Sequence, residues 1–439
     1  MNNAMIAGMM FPALFTLVLL GFPVAFSLIV TSFGFALIAF GDLAPAQLYR
    51  FVESVATQPT FAAIPLFIFM GAMLERSGIA ERLFEAMKLW LGRLPGGLAL
   101  AVLAMCAIFA LGTGIAGAVE VMVGMMAIPA MKRYNYSHGL ISGTITAGGS
   151  LGAMIPPSIV FVVYATQAQL SIGHLFAGAI IPSVLMVTFF LGYTLIRCYL
   201  RPQDGPPISA EELDVPLSEK FKITATSLLP ALGIVVAVVG SILVGVASPT
   251  EAAAVGAFCT IMLTAAYGKL GYGVLRDAAK ATLVITAMVM FIVVGGTMFT
   301  SIFQMNGGRQ LIQALISSMD LSPTQIIFVI LFVLFILGFI LDWISVVLIC
   351  VPIYDPLLRA AGIDPIWFAV MAIVVIQTSY LTPPMAPAIF YLRSIAPKDI
   401  TYKDMYLGVI PFVGCQFAVL AVAYFFPSTV LWLTKFVGF

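Results

Sequence analysis

The sequence predicts an all-α polytopic membrane protein built from two copies of one design, each pairing a re-entrant helical hairpin with a broken transmembrane helix. Three observations carry this. Of 439 residues, 62% are hydrophobic and 9% charged, where soluble domains carry about 25% charged residues. The apolar stretch 141–167 holds Gly143, Gly148, Gly149, Gly152 and the pair Pro156-Pro157. Sliding the chain against itself by 227 positions puts that pair on Pro383-Pro384, Pro129 on Pro356 and Tyr164 on Tyr391, without a gap.

A helix cannot run through a proline pair, because proline lacks the amide donor and its ring strikes the preceding turn. In hydrocarbon the freed carbonyls and amides are tolerated only where the gap is buried in protein or lines a wet cavity. Two corresponding breaks are what a secondary transporter presents at the midplane, where helix ends offer amides to anions and carbonyls to cations.

Residues 5–40 are too long for one upright span of about 20 residues, and Gly21-Phe22-Pro23 breaks them into one bent span or two. The run lacks the basic start and short core of a signal peptide, so it reads as remaining in the membrane. Residues 41–58 read as a loop bringing Asp42, Arg50 and Glu53 to an interface. In 79–94, Ile79, Leu83, Phe84, Met87, Leu91 and Leu94 recur at three- and four-residue steps between charges, an amphipathic arm helix at the membrane surface. Residues 98–131 exceed one span and carry Gly112, Gly114 and Gly117 mid-way, which suits a re-entrant hairpin. Broken helix 141–167 and a span at 172–200 complete the first half, residues 1–200.

Segment 201–222, rich in Pro, Gly and charge, reads as a solvated connection between the halves. The second half, 223–439, repeats the order: an apolar run, an amphipathic segment opened by Gly307-Gly308-Arg309, a hairpin at about 326–358, and a broken helix at 366–392. Met405 to Val437 is long enough for a tilted or interrupted span. Ser248-Pro249-Thr250-Glu251 is a capping box, which makes Glu251 a cap in preference to a proton carrier. Loop charges do not fix the orientation.

A net charge of +1 gives no electrostatic case for nucleic acid. The five cysteines lie in apolar stretches, as packing residues do. His138 and His174 stand outside any HExxH, and no GxSxG, P-loop or CxxC occurs, so nothing points to an enzyme. Polar groups deep in apolar sequence are few, among them Thr113, Glu120, Ser150, Ser158, Asp342, Ser345, Ser379 and Thr382. Hydroxyls, carbonyls and a carboxylate suit a hard monovalent cation, Na⁺. An intramembrane carboxylate is a functional hypothesis in itself: Asp342 is either an ion ligand or a cap, and Glu120 either functional or at an aqueous boundary.

The motifs IPLFIFMGAML, GGSLGAMIPPSIV, SPTEAAAVGA, DWISVVLICVP and LTPP stand in order along the chain. Over essentially its whole length it resembles the large membrane (permease) subunit, DctM type, of tripartite ATP-independent periplasmic (TRAP) transporters. The resemblance implies an inverted-repeat, elevator-type fold of the ion-transporter superfamily, with a scaffold and a mobile transport domain. It implies symport of a small organic acid across the bacterial inner membrane, driven by Na⁺. The implied partners are a soluble periplasmic binding protein and a small four-span membrane subunit. It further implies a first ion site of Thr113, Gly114, Gly152, Ile155 and Pro157; moved by 227 positions, that site gives a second of Ser379, Thr382 and Pro384, facing Gly338, Asp342 and Ser345. Thr113, Ser158, Ser345 and Met385 are the implied substrate contacts. Where the family often has Ser-Gly-Ser at the first tip, this chain has Thr113-Gly114-Ile115, and where Val-Gly commonly follows the second proline pair it has Met385-Ala386. The rival readings are a self-sufficient carrier of the same superfamily and, from another class, an intramembrane enzyme or respiratory subunit.

Overall fold

A computed structural model describes residues 3–113, 116–209, 211–318, 321–383 and 386–437, which are helical with no strand among them. The first half holds α1 (Asn3–Leu19), α2 (Val24–Phe40), α3 (Ala44–Ala56), α4 (Ala63–Arg76), α5 (Ile79–Leu91), α6 (Gly97–Thr113), α7 (Ala116–Arg133), α8 (His138–Ser150), α9 (Ile159–Ala168) and α10 (Ile172–Leu200). The second holds α11 (Leu217–Val244), α12 (Pro249–Ala266), α13 (Tyr272–Met305), α14 (Gly308–Ser318), α15 (Pro323–Leu337), α16 (Trp343–Ala360), α17 (Pro365–Leu381), α18 (Pro387–Ile395), α19 (Tyr402–Phe425) and α20 (Ser428–Thr434). Eight helical stretches among the described residues are long and apolar enough to cross a membrane. Outward-facing Leu283, Phe332 and Val236 are exposed, as lipid-facing side chains are.

Moved by 227 positions, the bounds of α7 fall on residues 343–360, those of α16, and α8 begins on residue 365, the start of α17. The packing partners exchange in the same way. α7 packs on α18 while α16 packs on α9, and α5 packs on α11 while α14 packs on α1. Ser150 and Gln377, themselves 227 apart, meet directly: Gln377 Nε2 donates to Ser150 Oγ at 3.1 Å. A second group, α2, α4, α12 and α13, packs together beside these elements.

Two readings of the sequence need correction. Residues 41–58 are not a loop: Ala44, Leu48 and Val55 recur on one face of α3 and are buried, a spacing hidden by the charges between them. The connection 201–222 is not simply solvated. α11 begins at Leu217, and the preceding segment is laced to the first half through Gly96 N to Gly205 O (2.8 Å), Ile208 N to Gly92 O (2.9 Å) and Ser137 N to Asp204 O (2.9 Å). Leu213 is buried, and Tyr134 donates to Glu212. The box at Ser248–Glu251 is formed, with Glu251 Oε2 accepting from Ser248 N at 2.8 Å.

Candidate functional site

Each carbonyl of a helix normally accepts from the amide four residues on, and for Gly152 and Ala153 those positions are Pro156 and Pro157, which have none. α8 therefore stops, a single 3₁₀ turn follows at Leu151–Ala153, and the chain is buried through Ser158. Ser158 Oγ donates to the Ala153 carbonyl at 2.9 Å, and Ser183 Oγ of α10 to that of Met154 at 3.0 Å. No hydrogen bond among the described residues ends on the carbonyls of Gly152, Ile155 or Pro157. These are three of the five implied ligands of the first ion site. Thr113 closes α6; Gly114 lies outside the described residues.

The second break is finished by hydroxyls. Ser379 Oγ donates to the Ile376 carbonyl and Thr382 Oγ1 to that of Thr378, both at 2.7 Å, and Thr382 N donates to the Ser379 carbonyl at 3.1 Å. Pro384 and Met385 lie outside the described residues. Ala386, where the family's glycine was noted, holds the left-handed φ of +43°, a region that favours glycine.

The second hairpin turns at Gly338 and re-enters the helix at Asp342. Asp342 Oδ2 accepts from Ile344 N (3.1 Å) and Ser345 N (3.3 Å), and Oδ1 accepts from Ser345 Oγ (2.5 Å), an N-cap worth about 1 kcal/mol. A Cβ on Gly338 would stand 1.9 Å from Ser379 Oγ, so only glycine lets this hairpin close on the second break. A Cβ on Gly117 of α7 would come 3.0 Å from the Tyr391 ring, seating the first hairpin on α18.

A cavity of about 690 Å³ lies where these parts converge. It is bounded by Gly117 of α7, Ile159 beyond the first break, Gly338 and Asp342 of the second hairpin, and Ser379, Tyr380, Pro387 and Tyr391 around the second break. Pro23 to Phe26 before and within α2, and Ile285 to Ile292 of α13, close the far wall. Gly338, Asp342 and Ser379 thus line one cavity. Ser158 and Ser345 do not face the cavity; the first hydroxyl is turned onto Ala153 and the second onto Asp342.

Sequence reasoning missed the aromatic rim of Tyr380 and Tyr391 and the buried pair Ser150–Gln377. It left Glu120 undecided; in the structure Glu120 is 0% exposed. Tyr380 Oη donates to its Oε2 at 3.4 Å, and its Oε1 has no partner among the described residues. No three metal-binding side chains of the His, Cys, Asp and Glu types cluster among the described residues.

A family model described as the DctM component of the tripartite ATP-independent periplasmic transporter matches residues 11–429. The chain is 30% identical over 97% of its length to the ectoine/5-hydroxyectoine TRAP transporter large permease protein of Ruegeria pomeroyi, covering 98% of that protein. It is 29% identical over 86% of its length to the C4-dicarboxylate large permease of Pseudomonas aeruginosa, covering 87% of it, and 29% identical over 95% to the sialic acid large permease of Vibrio cholerae, covering 96%. In fold it is similar to the YdaH transporter of Alcanivorax borkumensis, with a TM-score of 0.60 and 15% identity over 87% of this chain and 88% of that one. With a family match over nearly the whole chain and an all-helical membrane architecture to carry it, this protein belongs to the DctM family of TRAP transporter large permease subunits, multi-pass proteins of the inner membrane.

Proposed function

We propose that the chain carries a small organic acid inward, driven by Na⁺, after a soluble periplasmic binding protein has delivered it and with a small four-span membrane subunit completing the complex. The observation that carries this reading is the cavity touching both hairpins, the second break, the start of α9 just beyond the first, and the outer helices α2 and α13 together. Ions held by the hairpins and breaks would be next to substrate in that space, which is the geometry coupled uptake needs.

In this reading α2, α4, α12 and α13 belong to the scaffold, and the hairpins with the broken helices form the body that moves against it. The coincident bounds, the exchanged packing partners and the Ser150–Gln377 contact support two inverted repeats meeting near a two-fold axis. Thr113, Gly114 and the free carbonyls of Gly152, Ile155 and Pro157 hold one Na⁺. Gly338, Asp342, Ser345, Ser379, Thr382 and Pro384 hold the other, with the second lone pairs of the Asp342 carboxylate left for the ion while the first serve the cap. Thr113 and Met385 remain substrate candidates, and Tyr380 and Tyr391 replace Ser158 and Ser345.

One relative, the isethionate TRAP transporter permease protein DctMQ of Oleidesulfovibrio alaskensis, is longer, with 56% of it covered at 30% identity. That favours a partnered complex over a self-sufficient carrier. The test is uptake into proteoliposomes holding the chain and its small subunit, with and without the binding protein, with K⁺ replacing Na⁺. Uptake should need both Na⁺ and the binding protein; undiminished uptake by the chain alone in K⁺ would overturn the proposal.

A further inference from the structure

The least explained group in the molecule is Glu120. It lies in α7, six residues beyond the first hairpin's Gly114, fully buried, with one carboxylate oxygen bound only to a long tyrosine contact and the other to nothing among the described residues. A buried carboxylate left unpaired costs several kcal/mol, so a positive partner is demanded by its position. No ion pair among the described residues involves Glu120. Its other ionisable neighbours are the Cys106 thiol of α6 and the hydroxyls of Tyr380 on α17 and Tyr391 on α18, with the Asp342 carboxylate beyond Tyr391; none is a cation.

The site is nevertheless built. A Cβ on Gly149 would lie 2.0 Å from Glu120 Cγ and 3.1 Å from Oε1, so glycine there opens the notch that admits the side chain. The next residue, Ser150, accepts from Gln377 Nε2, which leaves Gln377 Oε1 as a second buried oxygen without a partner. Tyr380 lies one helical turn beyond Gln377 on the same face of α17. It touches Glu120 and also lines the central cavity, giving the notch a route to the substrate space.

We propose that Glu120, Gln377 and Tyr380 form a third, buried cation site that takes one exchangeable monovalent cation, Na⁺ or a proton, apart from the sites at the two hairpin tips. A carboxylate, an amide carbonyl and a phenol are hard oxygen donors suited to either. Bound cation neutralises the carboxylate while it is sealed, and exchange through Tyr380 ties its occupancy to the state of the cavity. Because none of its residues belongs to the tip sites, its failure would leave two-site Na⁺ coupling standing.

The test uses the purified full chain, wild type and Glu120→Gln, with folded protein verified by monodispersity and thermal melting. One arm counts ²²Na⁺ bound per chain at saturation; the other counts protons exchanged per chain between pH 5.5 and 8.5 at saturating Na⁺, in the assay's own range. Glu120→Gln should lose one Na⁺ with proton exchange unchanged if Na⁺ is the occupant, or one proton with bound Na⁺ unchanged if the proton is. Gln377→Leu keeps the charge and removes the second oxygen, and should weaken the same ion about tenfold; it also decides the matter should Glu120→Gln not fold. Unchanged counts in a folded Glu120→Gln, or unchanged affinity in Gln377→Leu, would overturn the proposal.

Discussion

Tyr164 and Tyr391 follow the two proline pairs at corresponding positions, yet Tyr164 is 1% exposed, with its hydroxyl accepting from Tyr354 at 3.0 Å, while Tyr391 is 48% exposed and lines the cavity. The two breaks differ in the same sense. At the first, hydroxyls of Ser158 and Ser183 take up the carbonyls of Ala153 and Met154, and the segment is sealed in the core. At the second, Ser379 faces the cavity beside a hairpin that closes only because residue 338 is glycine. Corresponding proline pairs thus yield one break built into the packing and one beside the cavity. Changes at the second should alter transport more than stability, and changes to the hydroxyls packed behind the first, Ser158 and Ser183, the reverse.

The largest effect should come from Gly338→Ala, whose methyl would stand 2.7 Å from Ser379 Cβ. Overpacking of this kind costs about 1–3 kcal/mol, which, if lost from ion binding, raises the Na⁺ concentration for half-maximal uptake by about fivefold to 150-fold. Gly34→Ala meets nothing within 4 Å and should transport as wild type. A Gly338→Ala variant with wild-type Na⁺ dependence would separate the second hairpin from ion binding.

Asp342→Asn comes next. It retains the shape and much of the cap but removes the charge, so loss of a charge-assisted contact of about 1.5–3 kcal/mol should raise the half-maximal Na⁺ concentration roughly tenfold or more with the yield of folded protein preserved. Asp342→Ala should also lower that yield. Unchanged Na⁺ dependence in a folded Asn variant would leave Asp342 a cap alone.

At the first break, Ser183→Ala should leave the buried Met154 carbonyl unpaired and cost about 1–3 kcal/mol of stability, read by thermal or denaturant unfolding. Its Na⁺ dependence should not move; if it does, the first break is less sealed than its burial indicates. The smallest change belongs to Ala386→Gly, which relieves a left-handed backbone and should alter stability by less than about 1 kcal/mol with uptake intact.

Much of this was legible in the sequence, because proline pairs, glycine-rich tips and capping boxes are local signals, and the proline pairs recur at a constant offset. Helix α3 was not, since Asp42, Arg50 and Glu53 masked the apolar face of Leu48 and Val55. The anchoring of 201–216 was hidden because much of it is made by backbone groups, which leave no trace in residue identity. The Glu120–Tyr380 contact joins residues 260 apart on different elements, so neither periodicity nor spacing reports it.

The central claim is that both breaks hold Na⁺ and act together in one turnover. Initial uptake rate against Na⁺ concentration, in proteoliposomes containing the complex and its loaded binding protein, tests it most directly. The account predicts a sigmoidal curve with a Hill coefficient above one, falling toward one in Gly338→Ala. A hyperbolic curve in the wild type, or uptake indifferent to Na⁺, would contradict it.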